Sequence, residues 1–150
     1  MKNLGTLLRS LSEQLDLAVE QVYRDQGIPF KPRYFPIATA LLEDGAMSIK
    51  RLAEKTGVSH SAVSQTVAAM KRDGWLASIS GDDRREKLIS LSALMQSELG
   101  QLERIWLAVA KAATSLDNDL DNSLFSSILK AGELLEDNSF YSRINKGLEK

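Results

Sequence analysis

The sequence predicts a mainly α-helical fold carrying one small β-hairpin, and three observations predict it. Apolar residues recur at three- and four-residue spacing along most of the chain. Two short runs of strand-like residues flank a polar, glycine-containing turn between Trp75 and Leu91. Hydrophobic content of 43% against 26% charge is that of a globular protein rather than a disordered one. A chain of 150 residues is expected to form one domain with a core of its own.

The first helix is expected over residues 4–22. Leu4, Leu7, Leu8, Leu11, Leu15, Ala18, Val19 and Val22 fall on one stripe, with Glu13, Asp16 and Glu20 on the other side. Gly27 and Pro29 end it. Pro32 and Pro36 bracket the start of a short second helix through Ile37, Ala40, Leu41 and Leu42, which stops near Asp44-Gly45. Ser48 then reads as the N-cap of a third helix, with Ile49, Leu52 and Ala53 inward and Lys50, Arg51, Glu54 and Lys55 outward.

Thr56-Gly57-Val58 interrupts the pattern, and Ser59 caps a fourth helix with Val63, Val67 and Met70 on its buried face. Asp73-Gly74 closes it, as glycine does past a helix C-terminus. Trp75 to Ile79 reads as one strand, Ser80-Gly81-Asp82-Asp83 as a turn, and Lys87 to Leu91 as the second strand. Leu94, Leu99, Leu102, Ile105, Trp106 and Val109 mark a long helix. Leu124 to Leu135 marks another, and Phe140, Tyr141 and Ile144 a short last one.

Several function classes are excluded. There is no cysteine, so disulfides and thiolate metal sites are ruled out, and a single histidine cannot build a multi-histidine metal centre. Asp117, Asp119 and Asp121 resemble part of a calcium loop. The glycine and closing glutamate such a loop requires are missing, and a turn with an acidic helix start is the expectation. No glycine-rich phosphate loop, nucleophile elbow or carboxylate pair beside a base is present, so no enzyme, no catalytic residue, no metal and no cofactor is expected. Residues 1–9 lack a basic start followed by an apolar run, and no apolar stretch reaches the ~20 residues of a bilayer span. The expected location is therefore the cytoplasm, with no membrane partner.

The net charge of −1 does not itself favour a nucleic-acid partner, but its distribution is uneven. Residues 31–90 carry ten basic against seven acidic groups, while both flanks are net acidic. Within that middle third, Ala53, Gly57 and Val63 have the spacing of a helix-turn-helix. A small residue allows the two helices to touch, glycine supplies a positive φ at the turn, and Val58 with Val63 is expected to lock the second helix on the first.

The second helix of the pair then presents His60, Ser61, Ser64, Gln65, Ala68 and Lys71 outward. Short polar groups near a helix N-terminus suit base reading in a major groove: Gln65 can pair with adenine, and serines or His60 with base edges or phosphates. Such a face is also what any solvated helix shows. At the hairpin tip, Asp82-Asp83-Arg84-Arg85-Glu86-Lys87 reads first as an exposed charged turn. An Asp two residues before an Arg can also hold the guanidinium outward, toward the narrow minor groove of A·T-rich DNA.

The run Leu52-Ala53, Gly57-Val58-Ser59, Val63-Ser64-Gln65, Gly74-Trp75-Leu76, Asp83-Arg84-Arg85 and Ile89-Ser90-Leu91-Ser92 resembles the MarR family of bacterial regulators. The resemblance implies a single domain over 1–150, with a winged helix-turn-helix at 33–92 and a helical dimerisation region at 1–30 and 93–150. It implies a cytoplasmic, nucleoid-associated homodimer on a pseudo-palindromic operator in double-stranded DNA, acting as a repressor. By this match Ser59, Ser61, Ser64 and Gln65 fall on the recognition-helix positions, Arg85 enters the minor groove with Asp83 as its buttress, and Arg84 sits near the backbone, while His60, Lys71 and Lys87 complete the expected DNA-binding set. Leu91-Ser92 stands where the family usually has Leu-Thr, and the family's glycine in the turn that follows has no counterpart from Ala93 to Ser97. A small-molecule effector is a further implication, with Tyr34, Phe35 and Trp106 as candidate pocket residues against the plainer reading of aromatic core.

The alternative from another class is a winged helix used as a protein–protein interaction module without DNA binding. Arg84-Arg85 and the polar recognition positions speak against it, since a protein-binding surface favours exposed aromatic or aliphatic residues.

Overall fold

The computed structural model describes residues 3–83 and 85–149. In chain order it contains α1 (Leu4–Asp25), a 3₁₀ turn (Pro32–Tyr34), α2 (Phe35–Asp44), α3 (Ile49–Thr56), α4 (His60–Arg72), β1 (Leu76–Ser80), β2 (Lys87–Leu91), α5 (Ala93–Asn118), α6 (Leu124–Asp137) and α7 (Phe140–Leu148). The mainly helical fold with one hairpin is as the sequence predicts. Packing divides the chain into two compact units, Met1–Ile105 and Trp106–Lys150, and the division falls inside α5.

In the first unit, α1 starts where the Asn3 side chain accepts the Thr6 N–H at 2.8 Å, and it runs one turn further than its apolar stripe suggests. Of its residues only Tyr23 is fully buried; Leu4, Leu7, Leu8, Leu15 and Leu17 stay exposed. The core lies instead between the aromatic connection after α1 and helices α2 to α5. Tyr23, Phe30, Tyr34 and Trp75 form a chain of edge-on rings, with centroids 5.2–5.5 Å apart at each step through Phe30. Such contacts contribute about 0.5–1.5 kcal/mol each beyond their area. Ile37, Ala38, Ala40 and Leu41 of α2, Leu52 of α3, Val63, Val67 and Met70 of α4, and Met95 and Leu102 of α5 complete it.

β1 and β2 pair antiparallel from Leu76↔Leu91 to Ser80↔Lys87. Two details depart from the expectation. Trp75 is not a strand residue: its N–H closes the end of α4 on Met70 O at 2.8 Å, while Gly74, at φ +86°, donates to Lys71 O at 3.1 Å. This is the Schellman arrangement, and it takes the Trp75 amide away from the ladder. Met47, between α2 and α3, pairs with Ile89 through two hydrogen bonds of 3.1 and 2.8 Å, giving the hairpin a third, single-residue rung.

The second unit contains α6 and α7, neither of which buries a residue. Asp117 Oδ1 accepts the N–H groups of Leu124 and Phe125 at 2.6 and 3.1 Å, so the carboxylate sits at the positive end of α6. The Ser123 hydroxyl, ahead of those amides, holds this carboxyl below the usual carboxylate range. The Arg143 side chain donates to Asn138 O and Leu134 O, tying α7 to the end of α6.

Candidate nucleic-acid interface

The helix pair is built as the spacing suggests, with one exception. Ser48 caps α3 by accepting the Arg51 N–H, and Ser59 caps α4 by accepting the Ala62 N–H, both at 3.2 Å. Gly57 ends α3 at φ +68°, ψ +11°, its N–H on Ala53 O at 3.0 Å. Leu52 and Val63 are fully buried between the helices. Val58, expected to help lock them, is 41% exposed, because the turn directs it away from the contact. Lys55 supplies a different tie: its ammonium lies 2.9 Å from Glu43 and 3.0 Å from Asp44, fastening the end of α3 to the end of α2. Those two hydrogen-bonded carboxylates, Glu43 foremost, hold the Lys55 pKa above the usual lysine value.

With Val63, Val67, Ala69 and Met70 inward, α4 turns His60, Ser61 and Gln65 to solvent and leaves Ser64 half-buried. Ser59 is exposed but its side chain is occupied as the cap. Lys71 is exposed, and its ammonium donates to the Ser78 hydroxyl of β1, linking the recognition helix to the hairpin.

At the hairpin tip the Gly81 N–H donates to Glu86 O at 3.0 Å and the Glu86 N–H to Asp83 O at 2.8 Å. Asp83 Oδ1 accepts the backbone N–H of Arg85 at 3.1 Å. The buttress thus acts on the main chain of Arg85, fixing where its exposed side chain starts. Lys87 is exposed where the second strand leaves the turn, opposite Ser80. Arg84 lies outside the described residues.

The aromatic pocket candidates divide. Tyr34 is wholly buried and its hydroxyl donates to Asp73 Oδ2 at 2.6 Å, which makes it core. Phe35 is 41% exposed and, with Pro36, Thr39, Ala40, Glu43, Lys55 and Thr56, lines a cleft of about 270 Å³. Trp106 opens the second unit and is half-buried there.

Two positioning groups escaped the sequence reading, Met47 and Asp73. Nothing in its neighbours marks Met47 as a strand residue. Asp73 did leave a signal: an acidic residue at a helix C-terminus opposes the macrodipole and calls for partners. It has them in Tyr34 and in Lys31, whose ammonium is 3.8 Å away.

A capped helix pair turning at a left-handed glycine, followed by a hairpin, defines a winged helix-turn-helix. Residues 28–86 match the model of the MarR family, and that stretch is similar to the family's winged helix-turn-helix. No curated protein matches the chain. Among solved structures it is similar to the M. tuberculosis transcriptional regulator MosR in complex with DNA (20% identity, 91% of this chain and 98% of that one, TM-score 0.71). It is also similar to Bordetella bronchiseptica BpsR, whose DNA binding is regulated by 6-hydroxynicotinic acid (19% identity, 91% and 94%, TM-score 0.69). A MarR family transcriptional regulator from Silicibacter pomeroyi is a third (21% identity, 89% and 92%, TM-score 0.61). At these identities the likeness is one of fold. Among the described residues no helix is long and apolar enough to cross a membrane, and no group of three or more His, Asp or Glu gathers to hold a metal ion.

Proposed function

We propose that this protein is a sequence-specific regulator of transcription that binds double-stranded DNA as a homodimer and acts as a repressor. The observation that carries the reading is the outer face of α4. Its buried residues all point one way, while Ser61 and Gln65 are exposed near the N-terminal end, and at the hairpin tip Asp83 holds the main chain of an exposed Arg85. A helix so placed lays Gln65 and Ser61 against base edges in the major groove, and Arg85 reaches the adjacent minor groove. His60, Ser59, Ser64, Lys71, Lys87, Asp83 and Arg84 complete the proposed contact set. Several of them act by holding the backbone or a phosphate rather than by reading bases.

A second copy of the chain is the natural cover for α6 and α7, where Phe125, Ile128, Leu129, Phe140 and Leu148 are each more than half exposed. Patches of this kind seldom stay open on a soluble protein. A two-fold dimer requires half-sites about 34–36 Å apart and an operator with matching symmetry. The link between BpsR and 6-hydroxynicotinic acid supports a small-molecule effector here too, and the cleft beside Phe35 is the place we propose for it.

The test is selection of bound sequences from random duplex DNA by the full-length protein. Enrichment of a pseudo-palindrome, with affinity falling steeply as salt rises, is the expected result. No enrichment, or a flat salt response, leaves the wing and α4 to a protein partner. Sedimentation at micromolar concentration tests the dimer directly, and a monomer there removes the palindrome from the reading.

A further inference from the structure

We infer that the junction Asp73-Gly74-Trp75, between α4 and the wing, is where α1 and α5 set the direction of the recognition helix. On this view its anchors, Tyr34 and Ser92, are positioning residues for operator half-site spacing. The inference rests on the dimeric DNA-binding reading above.

Four hydrogen bonds from distant parts of the chain converge on these three residues. Two come from the connection that leaves α1. The Tyr34 hydroxyl donates to Asp73 Oδ2 at 2.6 Å, and the Trp75 indole N–H donates to Pro29 O at 3.3 Å. Two come from the residue that opens α5. The Ser92 hydroxyl donates to Gly74 O at 2.6 Å, and the Ser92 N–H to Trp75 O at 3.1 Å. That same hydroxyl accepts the Met95 N–H at 3.1 Å, so it caps α5 while holding the end of α4. The serine that stands in place of a threonine therefore retains the one group this arrangement uses. Packing follows the same route, since the edge-on rings run from Tyr23 in α1 through Phe30 to Tyr34 and Trp75.

The lever is long. α4 has 13 residues, about 20 Å at 1.5 Å per residue. It is anchored at its C-terminal end, and its reading positions lie at the other. A rotation of roughly 5° at the junction moves the first turn by about 1.7 Å, half the ~3.4 Å rise of a base pair. Small adjustments of α1 or α5 therefore become a change in where each half-site must lie. Without the Tyr34 hydroxyl, Asp73 keeps only its ion pair with Lys31, both partners of which are substantially exposed, and such pairs hold geometry weakly.

The experiment uses full-length protein as wild type and as the variants Tyr34→Phe, Ser92→Ala and Ser92→Thr. Each is titrated with the selected palindrome at its native spacing, with one base pair added or removed between half-sites, and with an isolated half-site. Wild type is expected to lose about fivefold or more in affinity for the altered spacings, the lower end of ordinary coupling energies. In Tyr34→Phe and Ser92→Ala that penalty should shrink to about twofold or less while half-site affinity holds, and Ser92→Thr should keep the full penalty. Tyr34→Phe preserves the ring and its packing, so a folded protein is expected from it even if Ser92→Ala destabilises α5. An unchanged spacing penalty in Tyr34→Phe and Ser92→Ala overturns the inference, as does an equal loss on the isolated half-site, which marks a merely structural role. A wild type that binds no duplex overturns the proposed function itself, a result distinct from either.

Discussion

Replacing Gly57 with alanine probes the hinge on which the helix-turn-helix depends. The residue sits at φ +68°, ψ +11°, and a Cβ built there meets no atom within 4 Å. Crowding therefore adds nothing, and the cost is purely conformational. Holding an L-residue in the left-handed region costs about 1–2 kcal/mol. Alanine also stiffens the unfolded chain, returning about 0.4–1 kcal/mol. The net expectation is a destabilisation of about 1 kcal/mol. In urea unfolding it should appear as a lower midpoint with an unchanged slope, the mark of a stability change without a change in surface exposed. Gly57→Asn is the control, because asparagine tolerates the left-handed region and should recover part of the loss. An alanine variant as stable as wild type would falsify the reasoning, and so would an asparagine variant no better than alanine.

Four further outcomes are expected. Arg85→Ala should weaken operator binding by about 1–3 kcal/mol in a fluorescence anisotropy titration, the scale of one good groove contact, and unchanged affinity would remove the wing from the interface. Gln65→Ala should flatten base preference at one position per half-site, so an unaltered selected-sequence logo counts against it as a reader. Lys87→Ala should reduce the slope of log affinity against log salt by about 0.9 for each phosphate that the lysine neutralises, while Lys55→Met, whose charge is engaged by Glu43 and Asp44, should leave that slope unchanged. The lowered pKa of Asp117 means its contribution to stability is present above the ordinary carboxylate pKa and is lost as pH falls through the lower folded value. Asp117→Asn should accordingly unfold at lower temperature near neutrality and show a shallower decline on acidification; parallel curves would discount the cap.

The local elements were largely legible in the sequence because their signals are local. Serines at 48 and 59, glycines at 57 and 74 and the prolines at 32 and 36 act on their immediate neighbours, and each ends or begins an element where a side chain or a backbone angle requires it. The outward face of α4 was legible for a related reason: three apolar residues at helical spacing leave one direction for Gln65 and Ser61. What the residues could not announce are the long-range ties. Met47 to Ile89, Lys55 to Glu43 and Tyr34 to Asp73 join residues between 12 and 42 positions apart, and no spacing rule reaches across such gaps. Asp83 shows the limit at short range as well. Its place before Arg85 identified the pair, but the bonded group is the amide rather than the guanidinium, a difference of geometry that composition does not encode.

The charge of the chain takes on a different meaning once these ties are counted. The positive middle third looked like a modest attraction to phosphates, yet part of it is paired within the protein: Lys55 is held by two carboxylates, Lys31 pairs with Asp73, and Arg51 lies 3.9 Å from Asp44. Of these, Lys55 with its two short contacts ties the end of α3 to the end of α2, while the exposed Lys31 and Arg51 pairs hold geometry weakly. Outside those pairs, the exposed cations described within residues 31–90 are Arg33, Lys50, Lys71 and Arg72, with Arg85 and Lys87 on the wing, and Lys71 is tied to the hairpin through Ser78. In the proposed complex such a head presents a small number of cations to the duplex rather than a strongly basic surface. That is consistent with a net charge of −1, and it places the weight of recognition on the direction in which α4 is held.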